Sequence, residues 1–126
     1  MIKTTITACL ATLLLSSCGG AKDEKIFHNN VDASVVNSPA YQDGLQLVVK
    51  SDCLTCHKIA EGSTGPSYEA IAAKYADNKE NIDLLSGKII NGGVGIWGQV
   101  PMSAHPAVTK ADAEKMVKYI LLLRNK

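Results

Sequence analysis

The chain has little with which to build a large apolar core. It holds one Trp, one Phe and four Tyr in 126 residues. A folded region below ~100 residues with so few large side chains usually needs a staple: disulfides, a metal or a cofactor. Excess charge of one sign is also missing, with thirteen Lys and Arg against twelve Asp and Glu. That balance, without a basic cluster, excludes the electrostatic footprint of a nucleic-acid binder. No apolar run reaches the ~20 residues that span a bilayer. Cysteine is limited to Cys9, Cys18, Cys53 and Cys56. Cys9 lies inside the N-terminal apolar run, Cys18 ends it, and Cys53 and Cys56 form a close pair. None is left for a separate disulfide framework, so the staple is of another kind.

Residues 1–17, MIKTTITACLATLLLSS, read as an export signal, with Lys3 as its basic start and Ile6 to Leu15 as a short apolar run. Removal of Lys3 leaves twelve bases against twelve acids, a mature chain of zero net formal charge. Leu15-Ser16-Ser17-Cys18 resembles the bacterial lipobox. Small residues ahead of the cysteine fit a peptidase site, and Cys18 then becomes the lipidated first residue. The expected location is the periplasmic side of a bacterial membrane, inner or outer, held by the lipid anchor. Residues 18–38 are expected to be the lipidated Cys and a flexible tether, because they are polar and lack periodicity. The twenty residues after Cys18 would reach roughly 70 Å fully extended, and ~25 Å as a coil.

The folded domain is expected over 39–126. Ser38-Pro39 predicts a helix start, with Ser as cap and Pro in the first turn. Leu45, Val48 and Val49 continue it as an apolar stripe to about Lys50. A second helix is predicted over 67–76, with Tyr68, Ile71, Ala72 and Tyr75 on one face. A third is predicted over 79–90, with Ile82, Leu85 and Ile89 aligned and Gly92 as its stop. Residues 91–108 read as loop, with no strand-period run. The last helix starts at Thr109, paired with Asp112, and its stripe is Ala113, Met116, Val117, Ile120 and Leu121. The expectation is an all-α domain with long loops that wrap something.

Cys53-Leu54-Thr55-Cys56-His57 is the strongest signal. C-x-x-C-H is the c-type haem attachment motif. On a short helical turn, two cysteines three apart can each bond one of the two vinyl-derived carbons of the haem, and the adjacent His can present a ring nitrogen to the iron. A thioredoxin-like pair would want a βαβ setting, which is missing. A zinc site would want two further ligands at close spacing, whereas His28 and His105 are isolated. A plain disulfide is the third alternative, since the compartment is oxidising. Met102 is a candidate for the second iron ligand, in the loop Trp97-Gly98-Gln99-Val100-Pro101-Met102. The alternatives are that Met102 is core filler, as Met116 is expected to be, or that His105 in the same loop takes its place.

Residues 41–126 resemble the small class I bacterial cytochromes c of the c-551/c-552 type. The resemblance starts from a Gly44-led first helix and runs through Cys53-x-x-Cys56-His57-Lys58, Gly65-Pro66-x-Tyr68 and Ile71-Ala72-Ala73-Lys74-Tyr75. It continues through Ile90-Asn91-Gly92-Gly93, Ile96-Trp97-Gly98-x-x-Pro101-Met102 and a closing amphipathic helix. It implies about four helices around one covalent haem c, with the first and last helices crossing. It also implies His57 and Met102 as axial ligands. By position, the Pro66 carbonyl accepts from the second ring nitrogen of His57, and Trp97 donates its indole N–H near a haem propionate. Lys88 stands where relatives often carry a propionate-pairing Arg, and it lacks the bidentate fork. Ser103-Ala104-His105-Pro106 departs from relatives that are richer in Pro and Asn.

The implied function is a monohaem, membrane-tethered electron carrier, with iron cycling between ferric and ferrous. It is not an enzyme, because six-coordinate iron has no open site for oxygen chemistry. Two other functions compete: a ligand sensor or peroxidase-like protein with a dissociable Met, and a fixed cytochrome subunit of a larger respiratory complex. The expected partners are redox proteins: a quinol-oxidising complex, or a terminal oxidase or reductase. The carrier itself is expected to be a monomer. An exposed rim of Leu54, Ile96, Val100 and Pro101, with Lys58 as its only cation, is the expected docking surface.

Overall fold

Ser38, Ser67, Asn78 and Thr109 each cap a helix by accepting a hydrogen bond from a backbone N–H of the first turn. These caps set the frame of the computed structural model, which describes residues 31–124. The helices are α1 (Ala33–Val36), α2 (Pro39–Lys50), α3 (Tyr68–Lys74), α4 (Lys79–Asn91) and α5 (Lys110–Leu122). A short 3-10 turn, Cys53–Thr55, follows α2. Between α4 and α5 lie two short antiparallel strands, β1 (Gly93–Gly95) and β2 (Gly98–Met102).

Helix α5 is the hub and packs against α2, α3 and α4. Its stripe, Ala113, Met116, Val117, Ile120 and Leu121, is buried together with Tyr119. The other helices supply Tyr41 and Val48, Tyr68 and Ile71, and Ile89. Full burial of such side chains is worth ~1.5–3 kcal/mol each. Tyr41, Tyr119 and Tyr68 form an edge-to-face series, with ring centroids 4.9 Å and 6.3 Å apart. Helices α2 and α5 meet at Gly44. A Cβ there would fall 2.3 Å from Tyr119 Cβ and 2.5 Å from the Lys115 carbonyl oxygen. Only a residue without a side chain lets the two backbones approach so closely. On the surface, Asp83 pairs with Lys79 and Lys110, bridging α4 and α5. The Arg124 guanidinium donates to the Tyr75 carbonyl just beyond α3.

Two expectations need correction. Residues 91–108 contain a β-ribbon, not loop alone, in which Gly93 pairs with Met102 and Gly95 with Gly98. The strands are short, Gly-rich and mostly exposed, so they carry no alternation of apolar and polar residues to betray them. The end of the expected tether is also structured. Asp32 caps α1, Ser38 Oγ donates to the Val35 carbonyl at 2.7 Å, and Gln42 Nε2 donates to the Val36 carbonyl at 2.8 Å. Val31, Val35 and Val36 pack on the core. A four-residue helix is too short to show periodicity, which is why it reads as linker.

Candidate functional site

The chain after α2 turns through Asp52, whose backbone is left-handed (φ 55°). This places Cys53 at the start of the 3-10 turn. Cys56 N–H and His57 N–H both donate to the Cys53 carbonyl, at 3.3 Å and 3.0 Å. The turn brings both cysteines and His57 to the wall of one cavity of about 390 Å³. Both thiols are free, and burial pushes the Cys53 thiol pKa up.

The loop that follows folds back on this turn. Gly65 N–H donates to the Cys56 carbonyl at 2.8 Å, and Tyr68 N–H to the Lys58 carbonyl at 2.9 Å. His57 Nδ1 lies 2.7 Å from the Pro66 carbonyl oxygen. A carbonyl only accepts, so Nδ1 carries the proton and Nε2 keeps its lone pair. This is the arrangement that orients metal-bound imidazoles. Two neighbours hold the ring flat. Tyr68 stacks on it at 5.5 Å with planes 16° apart. Gly65 passes so close that a Cβ there would sit 2.6 Å from the ring.

The opposite wall comes from the ribbon and the end of α4. Gly92 stops α4 with φ 71°, and a Cβ there would meet the Met102 carbonyl oxygen at 2.5 Å. The left-handed backbone and the close approach both require glycine. His105 N–H donates to the Ile89 carbonyl at 3.0 Å, fixing the segment after Met102 to α4. Met102, Trp97, Lys88 and His105 all line the cavity. Its floor is apolar: Val48, Ile89, Met116, Val117 and Ile120.

Seven residues singled out in the sequence therefore share one cavity: Cys53, Cys56, His57, Pro66, Lys88, Trp97 and Met102. Cys18 lies outside the described residues. Trp97 lines this cavity and is 46% exposed. Its ring lies under the Lys74 ammonium, 5.5 Å from centroid to Nζ. Lys74 was not singled out for this contact, because nothing local in the sequence links α3 to the ribbon. It also gives the exposed rim a cation besides Lys58, whose own Nζ is folded back onto the Leu54 carbonyl at 2.8 Å. Lys88 packs against the Gly93 backbone and makes no ion pair among the described residues.

These features fit a covalently held haem. Two free thiols three residues apart and an imidazole with its Nε2 lone pair available share one largely apolar cavity. Lys88 adds an unpaired ammonium at its wall, the charge that an anionic carboxylate would seek.

Comparison with known proteins agrees. The cytochrome c family profile matches residues 41–124. The chain is 40% identical to cytochrome c-552 of Nitrosomonas europaea over 83 residues, 66% of this chain and 81% of that protein. It is also 40% identical to cytochrome c-551 of Allochromatium vinosum over 84 residues, 67% of this chain and 89% of that one. The crystal structure of the wild-type Nitrosomonas europaea protein superposes with a TM-score of 0.60, covering 64% of this chain and 99% of that structure. At 21% identity, the class 1 cytochrome MtoD of Sideroxydans lithotrophicus shares the fold, with a TM-score of 0.55. The chain thus belongs to the cytochrome c family, as a small class I, monohaem electron-transfer cytochrome whose cofactor is one covalently bound haem c.

Proposed function

We propose that this cytochrome is a membrane-tethered carrier whose haem is bonded to Cys53 and Cys56, with its iron between His57 and Met102. When bound, the haem supplies a one-electron iron couple. The chain supplies the rest. The Pro66 carbonyl and the Tyr68 ring orient His57, and the apolar floor excludes water. The ribbon holds Met102 at the wall of the cavity.

One comparison carries the ligand assignment. Two histidines line the cavity, and only one is prepared to bind metal. His57 has its Nδ1 proton satisfied by Pro66. His105 has a buried Nδ1 with no hydrogen-bond partner. Its imidazole thus lacks the second-nitrogen hydrogen bond that orients a metal-bound ring, which His57 has. This supports Met102 over His105. Met102→Ala should open the iron to carbon monoxide and lower the potential by a large part of the ~0.8 V range that axial ligands control. His105→Ala should keep a closed, low-spin spectrum. The reverse pattern would make this a bis-histidine cytochrome.

The tether rests on Leu15-Ser16-Ser17-Cys18. Two acyl chains give stable membrane attachment where one is marginal. Cys18→Ala should move the protein from the membrane to the soluble fraction; equal solubility of the two forms would end the anchor proposal.

A further inference from the structure

The two walls of the cavity are built differently. The His57 wall is tied to the helical frame by backbone hydrogen bonds, from Gly65 to Cys56, Tyr68 to Lys58 and Glu69 to Ile59. The ribbon that carries Met102 pairs mainly with itself, and no helix packs along it as the helices pack along each other. It is fixed at its base, by Gly92 against the Met102 backbone and by His105 N–H on Ile89. Toward its tip Val94, Ile96 and Val100 line the cavity and are packed under no other element among the described residues. Among the described residues, a ring contact reaches the tip from the other wall. Lys74, in the last turn of α3, holds its ammonium over the Trp97 ring. Lys74 makes no ion pair among the described residues, and its ammonium lies over the ring.

We infer that Lys74 is a positioning residue: its cation–π contact with Trp97 latches the ribbon tip to α3 and so keeps the Met102 wall closed against the His57 wall. Helix α3 also carries Tyr68, which stacks on His57. The latch therefore couples the element that holds one proposed ligand to the element that holds the other. Lys74 need not touch the haem to act.

The test uses the holoprotein with Lys74→Met, which keeps the bulk and removes the charge, and Lys74→Arg, which restores a cation. Native-state hydrogen exchange reads how often the ribbon opens. An exposed cation–π contact is worth a ~2- to 5-fold change in such an equilibrium. Amides of 93–102 should exchange faster by that factor in Lys74→Met and return toward wild type in Lys74→Arg. Amides of α3 and α5 should not change. Entry of imidazole into the ferric protein should quicken by a similar factor. The imidazole measurement rests on Met102 being the ligand, and the exchange measurement does not, so the two ideas fail separately. Unchanged ribbon exchange in Lys74→Met overturns the latch. So does a rise shared equally by all helices, which would mark a general loss of stability, and so does failure of Arg to restore protection.

Discussion

The helical frame and the ribbon enclose the same cavity and obey different rules. The frame is held by burial: α5 sinks six side chains among three other helices, and Gly44 lets two backbones nearly touch. The ribbon is held by its ends and one exposed cation–ring contact. Burial tolerates little change, because a packed interface has no spare volume. An exposed hairpin tolerates change at its tip. The rigid side thus holds the attachment motif and His57, and the more exposed side holds Met102 and Trp97.

The sharpest way to break this contrast is Gly44→Ala. The added carbon has no room against Tyr119 and Lys115, so the helices must separate. Overpacking of this kind costs about 1–3 kcal/mol, despite the ~1 kcal/mol that Ala gains over Gly in a helix. Thermal unfolding of the holoprotein should show the loss, whereas Lys74→Met at the ribbon contact should cost no more than ~0.5–1 kcal/mol, the worth of one exposed cation–π contact. Equal losses at the two sites would erase the distinction between frame and ribbon.

A smaller effect is expected from alkali. Burial pushes the Tyr41 phenol up to about 12 and raises those of Tyr119 and Tyr68 as well. Above pH ~10 the unfolded chain loses phenol protons that the folded frame keeps, so folding is linked to proton binding. Stability from this source is complete below pH ~10 and declines as pH rises toward about 12. Tyr41→Phe should flatten that decline in unfolding curves taken at increasing pH; an unaltered slope would mean that the frame does not hold Tyr41 as described.

The smallest effect belongs to salt. The chain has a formal net charge of only +1, and the ribbon face is mostly apolar, with Lys74 turned onto Trp97. Steering between charged partners weakens steeply with ionic strength. Electron transfer to a physiological partner should vary by less than about tenfold between low and high salt. A drop of several orders of magnitude would relocate the docking site to a charged surface.

Legibility in the sequence follows the same division. The frame could be read in advance because its signals are local. Ser38 with Pro39, Thr109 with Asp112, and the stripe from Ala113 to Leu121 each lie within a turn or two of the helix they specify. Cys53, Cys56 and His57 declare themselves by spacing alone, while Pro66 needed the resemblance. The ribbon escaped because Gly93, Gly95 and Gly98 interrupt any alternation and its strands bury little. The Lys74–Trp97 contact escaped because it joins residues far apart in the chain. His105 was visible as a residue, but its stranded Nδ1 depends on what surrounds it in three dimensions.

The docking of α1 onto α2 changes the leash. With Val31 onward packed on the domain, only residues 19–30 separate the proposed anchor from the folded body. Twelve residues reach at most ~40 Å, against roughly 70 Å for twenty. Under the proposed anchor, the volume open to the domain would scale as the cube of that reach, so it would be about fivefold smaller, and the effective concentration near the membrane would rise in proportion. A membrane-bound partner within that radius would meet it far more often, and one across a wider gap would be out of range. Under the proposed anchor at Cys18, the small helix would therefore narrow by distance the set of partners the domain could meet.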